Sequence, residues 1–366
     1  MTSPWLAAPL LGAIATTAAA GEIERRGDPS MILFEEGRNY VEFSAAHVNP
    51  KVSGTPLAGV PANPTGNIQK SYQSYAGGYK HDLTDRITLA LVIDEPVGAS
   101  VDYTTPGAFF DSSFAEVESI AYTGLGRYKI SDRVSVYGGL RLVGLSGDLL
   151  VLSPTTTDNP ALGPQPYALS VSKDYQLGYL LGAAYETPDI ALRFALTYES
   201  KTHHDIDDTT GAPFEVELPQ SVTLHAQSGI AANTLLFGSV RWREWSKFQV
   251  QPADFFSLET GVPVNVPIAS GPSDIWTYEL GLGRRFNENW SGAVILGYEK
   301  DEDDIVGNLS GKDGFFSYGL AVTYETGQWG VTMGLKYFDI GDADTNVTSF
   351  SGNDAIAFGT KVAFKF

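Results

Sequence analysis

The most constraining feature of this sequence is a two-residue alternation of apolar and polar side chains that recurs along most of its length. Such a period is typical of β-strands with one buried face. It predicts an all-β fold with an even number of strands, because fourteen segments carry it from Tyr40 onward. The segments are 40–49, 71–81, 86–103, 115–129, 134–153, 172–187, 190–204, 218–230, 234–251, 274–286, 290–301, 315–326, 329–341 and 354–366.

The joints between these segments are sorted by length. Six are short, such as "ISDR" at 130–133 and "NEN" at 287–289, and seven are long and polar, such as 250–273 and 300–314. Short and long joints alternate without exception. Bacterial outer-membrane barrels have tight periplasmic turns, long external loops and an even number of antiparallel strands. The sequence therefore predicts a 14-stranded antiparallel transmembrane β-barrel over 40–366, located in the bacterial cell outer membrane.

The two faces of the segments agree with a barrel wall. In the last segment one face carries large apolar residues and the other carries Ala357, Gly359, Lys361, Ala363 and Lys365. A β-sandwich in water would show the same alternation with its polar face toward solvent, so the alternation by itself does not separate the two folds. The sorted joints favour the barrel, with an apolar face toward lipid and a polar or small face toward the lumen.

Composition excludes several classes of function. The chain has 24 Lys and Arg residues against 43 Asp and Glu residues, a formal charge of −19, which would repel nucleic acid phosphates. It contains no cysteine, so disulfides, thiolate catalysis and cysteine metal sites are excluded. Aromatic residues make up 12% of the chain, and this content suits strands with interfacial rings.

The amino-terminal residues resemble an export signal. Residues 1–20 contain an apolar run and end in small residues, which predicts a signal peptide, although no Lys or Arg precedes the run. Residues 21–39 then form a short segment before the first strand, and we expect it to be a hatch inside the barrel.

The third segment contains a break. "LVIDEPVGASVDY", residues 91–103, alternates regularly at first and then meets Pro96 and Gly98. Proline cannot donate to a β-ladder and glycine weakens a strand interior, so the pair indicates a bulge or a bend.

Several stretches together resemble one known family, the FadL-type outer-membrane transporters of long-chain fatty acids and aromatic hydrocarbons. The stretches are "VEFSAAHVNPKVSG" (41–54), "DYQLGYLLGAAYETPDIALRFALTYES" (174–200), "LPQSVTLHA" (218–226), "REWSKFQV" (243–250) and "DIWTYELGLGRRFNENWSGAVILGYEKD" (274–301). The resemblance implies a fourteen-stranded barrel plugged by an N-terminal hatch, and a monomer. Family members have a longer hatch with an Asn-Pro-Ala stretch, where this chain reads "GDPSMIL".

The resemblance also gives the break a role. In this family a kink in the third strand opens a lateral gap through the wall, so Asp94, Pro96 and Gly98 are the candidate gap residues. The alternative is a plain bulge, or an early strand end with 94–100 in the loop. The resemblance further implies that loops 152–172 and 201–217 form a first capture groove. The candidate capture residues are Leu162, Tyr167, Leu169, Pro213 and Phe214.

Alternation places a set of basic residues on the lumen face, where they could hold a substrate carboxylate. Arg141 is the first candidate, since it lies near mid-strand where the resemblance implies basic residues at the substrate headgroup. The alternative is that most of these charges pair with Glu199, Glu279 and Glu299 to fill the lumen. The candidate lumen residues are Arg141, Arg193, Arg241, Arg285 and Lys336.

Metal and enzyme interpretations have little support. "HHDIDD" at 203–208 contains possible ligands, but adjacent histidines in a strand point to opposite faces. The acidic stretches at 301–304 and 341–346 lack calcium-loop spacing, so we expect solvated loop tips, with a contact to lipopolysaccharide through divalent ions as the alternative. The sequence carries no GxSxG, HExxH or phosphate-loop motif, so we expect neither an enzyme nor a cofactor.

The sequence therefore predicts a passive channel for hydrophobic small molecules. Substrates would be captured by the external loops, bound in the lumen and released sideways at the third strand. The alternatives are a general diffusion porin, a barrel hydrolase that uses His203 or His204 with Asp205, and an adhesin. A fatty acid and an aromatic hydrocarbon both need an apolar pocket, and only the acid needs an arginine, so the substrate stays open.

Overall fold

The computed structural model describes residues 23–25, 27–302 and 305–366. The predicted signal peptide at 1–20 lies outside the described residues, as do the first two residues of the expected hatch. In the described part of the chain, no helix has the length and apolar character to span a membrane.

The described residues form a closed antiparallel barrel of fourteen strands, as the alternation predicts. The third strand is in two halves, which both pair with the fourth. The strands are β1 Asn39–Lys51, β2 Tyr72–Asp82, β3 Ile87–Asp94 and Gly98–Asp102, β4 Phe114–Lys129, β5 Val134–Val151, β6 Tyr167–Thr187, β7 Leu192–Glu199, β8 Ser221–Ala231, β9 Thr234–Arg243, β10 Ile275–Arg285, β11 Trp290–Glu299, β12 Phe315–Thr326, β13 Trp329–Ile340 and β14 Asn353–Lys365.

Each strand pairs with its sequence neighbour, and β1 closes the barrel on β14 from Tyr40 opposite Lys365 to Lys51 opposite Asp354. The short joints all lie at one end and the long loops at the other, which confirms the sorting read from the sequence. The predicted assignment of apolar residues to the outer face and polar or small residues to the inner face is confirmed as well. On β12, Tyr318 and Leu320 are exposed on the outer wall, whereas Ser317 is buried inside.

Some strand bounds differ from the prediction. The sixth strand begins at Tyr167 rather than 172, because the ladder with β5 continues past an irregularity between Leu145 and Gly147. The seventh strand ends at Glu199 rather than 204, and the chain leaves the wall there. Residues Thr202–Asp207 and Pro213–Leu218 pair with each other instead, in a separate external hairpin. The alternation of apolar and polar residues continues through this hairpin, so the sequence does not show where the chain leaves the barrel wall.

The long loops carry short strands and 3-10 helices of their own. The short strands are Gly54–Pro56, Thr156–Thr157, Gln249–Val250, Phe256–Ser257, Val264–Asn265, Ala269–Ser270, Ala343–Asp344 and Thr348–Phe350. The 3-10 helices after β1 are Pro160–Leu162 and Trp245–Lys247 in long loops and Pro188–Ile190 in a short turn. Apolar residues from these loops and the adjoining strand ends form the largest core, which includes Tyr103, Phe255 and Phe350.

The segment before β1 lies inside the barrel. Its 3-10 helix, Pro29–Phe34, begins after Asp28, whose side chain accepts a hydrogen bond from the Ser30 amide at 2.8 Å. Ile32 and Leu33 pack into a second core at the short-turn end of the barrel. The Lys80 ammonium donates to the Gly37 carbonyl at 2.6 Å, which ties the end of the segment to β2.

Candidate functional site

The break in the third strand is present and is the centre of the site. The ladder between β2 and β3 stops where Gly77 pairs with Ile93. Beyond this point, residues 72–76 of β2 remain paired with β1, and the second half of β3 remains paired with β4. The next backbone bridge between the two sides joins Gln69 and Val101. The wall is therefore interrupted beside Pro96 and Gly98.

The kinked residues turn inward. Asp94, Pro96 and Val97 are buried, and the Val97 amide donates to the Ser119 hydroxyl at 3.0 Å. The amino-terminal segment occupies the place of the missing ladder, because the Arg25 amide donates to the Pro96 carbonyl at 2.9 Å and the Gly98 amide donates to the Ile23 carbonyl at 2.8 Å.

An apolar cavity of about 140 Å³ adjoins this break on the lumen side, and we name it the lumen cavity. Gly98 and Val101 of the kinked strand form part of its wall, so the cavity and the break share residues. Its apolar lining includes Leu169, Phe214, Phe248 and Ile268.

A second cavity, of about 300 Å³, lies among the long loops, and we name it the outer cavity. It is lined by residues such as Phe110, Phe255 and Val306. Ile268 and Leu309 line both cavities. The outer cavity, the lumen cavity and the break thus adjoin one another in that order, from the external loops to the barrel wall.

The five candidate lumen residues do not form one group. Arg285 lies at the short-turn end, where it pairs with Glu325 at 3.2 Å. Arg193 lies at the same end, with its guanidinium over the Phe34 ring of the amino-terminal segment. Lys336 is buried in β13 and pairs with Glu279 at 2.7 Å.

The other two candidates lie near the kink. The Arg141 Nη2 atom donates to both carboxylate oxygens of Asp94 at 3.1 Å, and its Nε lies 3.8 Å from Glu199. Arg241 Nη2 lies 2.6 Å from the Glu24 carboxylate. Arg141 and Lys336 thus contact two of the three glutamates named by the charge-pairing alternative, whereas Arg193 donates to the neutral Gln227 amide oxygen at 2.8 Å.

The candidate capture residues are also divided. Leu162 is exposed in a loop helix, and Pro213 is exposed in the external hairpin. Tyr167 and Leu169 are buried in β6 rather than placed in a loop, and the Tyr167 hydroxyl donates to Asp254 at 2.7 Å. Phe214 and Leu169 reach the lumen cavity.

The histidine pair has the expected opposite orientations. The His203 ring lies on the outer side of the external hairpin, 2.8 Å from Glu215. The His204 ring is buried, with Nδ1 3.0 Å from Asp174 and Nε2 3.2 Å from the Thr202 hydroxyl. Asp205 is exposed on the outer side. Among the residues that the structure describes, no group of His, Asp or Glu side chains is arranged to hold a metal ion.

Sequence reasoning missed the contribution of the amino-terminal segment to the site. Glu24 pairs with the β9 residue Arg243 at 2.7 Å, and the Arg25 guanidinium lies 4.3 Å above the Tyr72 ring of β2. "GEIERRGDP" shows only a run of charges before the first strand, and no local pattern indicates where such a run inserts.

The family model described as outer membrane protein transport protein (OMPP1/FadL/TodX) matches residues 29–291. No curated protein sequence matches the chain.

Solved structures with the same fold include a Pseudomonas aeruginosa FadL homologue, at 14% identity and a TM-score of 0.75, covering 96% of this chain and 97% of that one. The Pseudomonas putida toluene transporter TodX aligns at 13% identity and a TM-score of 0.66, covering 96% and 98%. The Ralstonia pickettii toluene transporter TbuX aligns at 13% identity and a TM-score of 0.63, also covering 96% and 98%.

Proposed function

Because the chain belongs to the FadL/TodX family of outer-membrane transport proteins, we propose that it is a passive channel that takes up hydrophobic small molecules and releases them sideways through the interrupted third strand. The outer cavity and external loops capture the molecule, and the lumen cavity then binds it. The observation that supports this route most strongly is the shared wall, in which Gly98 and Val101 line both the break and the lumen cavity.

Burial of apolar surface supplies the binding free energy in this proposal. Each CH₂ group moved from water into an apolar site contributes about 0.8 kcal/mol. A chain of several carbons or an aromatic ring therefore binds without a cofactor. Some relatives of the same fold are toluene transporters, which supports aromatic hydrocarbons as one class to test here.

The test is uptake by cells that lack their own fatty-acid porin. Cells with the wild-type protein are compared with cells that carry Pro96→Val and Gly98→Thr together, using radiolabelled oleate and radiolabelled toluene. We expect uptake of at least one compound by wild type and a loss of most of it in the variant, because a continuous strand closes the wall. Pro188→Val, in a short turn at the opposite end, is the matched control and should retain uptake.

Three outcomes contradict the proposal. If neither compound enters, the chain is not a channel for them. If the double variant reaches the membrane folded and transports as wild type does, the exit lies elsewhere. If planar bilayers show steady ion conductance through the open lumen, the general porin is the better description.

A further inference from the structure

The outer cavity is lined by polar as well as apolar side chains. Its apolar part includes Phe110, Phe255 and Val306, which come from three different external loops. Of the described residues that line it, none belongs to the external hairpin, so it is a different site from a groove between loops 152–172 and 201–217. Its polar part includes hydroxyl and amide side chains, namely Ser113, Thr155, Thr156, Ser257, Asn308 and Asn346.

Two of these polar side chains carry an atom that has no hydrogen-bond partner. The Thr156 hydroxyl and the Asn308 side-chain oxygen are both enclosed, and neither is paired within the described part of the chain. Thr156 as a whole is only 8% exposed. Buried polar groups are nearly always paired, because an unpaired group has lost its hydrogen bonds to water. The two atoms therefore indicate a partner from outside the chain.

Other polar groups of the same lining are paired within the protein. The Thr155 hydroxyl pairs with the Ser153 hydroxyl at 3.1 Å. The Ser113 hydroxyl donates to the Leu152 carbonyl at 3.0 Å. The missing partners of Thr156 and Asn308 are therefore not a general property of the cavity wall.

The backbone holds both residues in place. Thr156 pairs with Ser257 in a short ladder, and its carbonyl accepts a hydrogen bond from the Gln165 amide at 3.1 Å. The Asn308 carbonyl accepts a hydrogen bond from the Tyr103 hydroxyl at 2.5 Å. Because the backbone is fixed on both sides of the cavity, rotation of a side chain is enough to bring either polar atom to a bound molecule.

The charge of the outer cavity disfavours anions. Among the described residues of its lining, Glu259 is the one titratable side chain, and no side chain is basic. A carboxylate in the cavity would therefore lack a cation to pair with and would meet a like charge. A hydroxyl group can donate to the Asn308 oxygen or accept from the Thr156 hydroxyl while it stays uncharged.

We propose that the outer cavity is a binding site for small uncharged hydroxyl compounds with an apolar body, such as alkylphenols, and that Thr156 and Asn308 bind the hydroxyl group. The apolar body packs against Phe110 and Phe255. A volume of about 300 Å³ is at the lower end for ligand pockets and suits a single substituted ring. The inference rests on the proposed function only for the role of the cavity in capture, because binding itself is measured without transport.

The first test compares p-cresol with toluene, which differ by one hydroxyl group. Calorimetry on the protein in lipid nanodiscs, with empty nanodiscs subtracted, gives both Kd values. We expect wild type to bind p-cresol about tenfold more tightly than toluene, as two hydrogen bonds of ordinary strength predict. The double variant Thr156→Val with Asn308→Leu should lose this preference and keep the Kd for toluene. Neither residue lines the lumen cavity, so the change reports the outer cavity.

The matched control is Thr155→Val, because Thr155 lines the same cavity but its hydroxyl is already paired. It should keep the preference for p-cresol. The double variant removes two unpaired atoms and nearly preserves side-chain size, so we expect it to fold. The inference is overturned by equal p-cresol Kd values in wild type and the double variant, by the same loss in Thr155→Val, or by p-toluate binding as tightly as p-cresol.

The second test locates the bound compound directly. Crystals of the wild-type protein are soaked with 4-bromophenol or 4-bromotoluene, and anomalous scattering gives the bromine position. We expect 4-bromophenol in the outer cavity, with its oxygen within hydrogen-bond distance of Thr156 or Asn308, and a weaker bromine peak there from 4-bromotoluene. Equal peaks from the two compounds, or 4-bromophenol in the lumen cavity alone, would contradict the inference. If 4-bromophenol binds as expected but cells take up neither oleate nor toluene, the proposed function fails and the binding site stands.

Discussion

At the scale of single residues, the lumen is filled by paired charges. In the pair of Arg141 with Asp94, both side chains are almost fully enclosed. Removal of one partner from such a pair is costly because the other keeps its charge without water. These residues therefore contribute to the stability of the barrel whatever they do for transport.

We expect Asp94→Asn to lower the free energy of unfolding by about 3 kcal/mol, because Arg141 loses its closest countercharge. Urea unfolding in lipid vesicles measures the change. The matched control is Lys300→Gln, which removes an exposed partner of Glu302, and its unfolding midpoint should stay within error of wild type. If both variants lost the same free energy of unfolding, burial of the ion pair would not determine the loss of stability.

At the scale of elements, the external hairpin depends on a buried imidazole. Burial lowers the pKa of His204, because the charged ring would lose its water, and Asp174 offsets only part of this effect. The folded hairpin thus binds the proton more weakly than the unfolded hairpin does. Its stability is therefore full above the ordinary histidine pKa of about 6.5 and falls as the pH drops below that value.

We expect backbone amides in 202–218 to exchange faster at about pH 5 than at about pH 7.5 after correction for the intrinsic rates. Hydrogen exchange followed by mass spectrometry is the measurement. His204→Asn keeps a polar partner for Asp174 and should abolish the difference. His203→Asn, one position away on the exposed side, should retain it, and the reverse assignment would contradict the role of His204.

The elements were largely predictable from sequence, and the contacts at the kink were not. The number of strands, the sorting of loops by length and the side to which each residue points all follow from the two-residue alternation of apolar and polar side chains, which is a local property of the sequence. The end of β7 was misplaced because alternation continues into the external hairpin, and the start of β6 was misplaced because its ladder with β5 continues past an irregularity. The contact between Glu24 and Arg243 joins residues 219 positions apart, and no spacing in the sequence encodes it.

At the scale of the whole molecule, the outer wall presents a continuous apolar surface to lipid. Leu320 on β12 is 61% exposed and lies midway between Phe316 and Tyr324 on the same face. Aromatic residues near both strand ends, such as Tyr298 and Trp290 on β11, fit the interfacial rings of a membrane barrel.

We expect Leu320→Arg to destabilise the barrel by about 2–4 kcal/mol, since it places a charge near the middle of the hydrocarbon layer. Tyr324→Arg, four residues along the same face and closer to the interface, should cost less than about 1 kcal/mol. Refolding titrations into vesicles give both values. Equal costs at the two positions would contradict the membrane depth assigned to β12.

The seam between β1 and β14 has a consequence for the order of folding. Adjacent hairpins can form as soon as their short turns exist, but Tyr40 cannot meet Lys365 until the last strand has been made. Contacts so distant in sequence form slowly, and until then the edges of β1 and β14 are open templates for pairing with other chains. Pairing between newly made chains must therefore be prevented until the final strand has been made. Closure of the seam between β1 and β14 removes both open edges and ends the risk of such pairing.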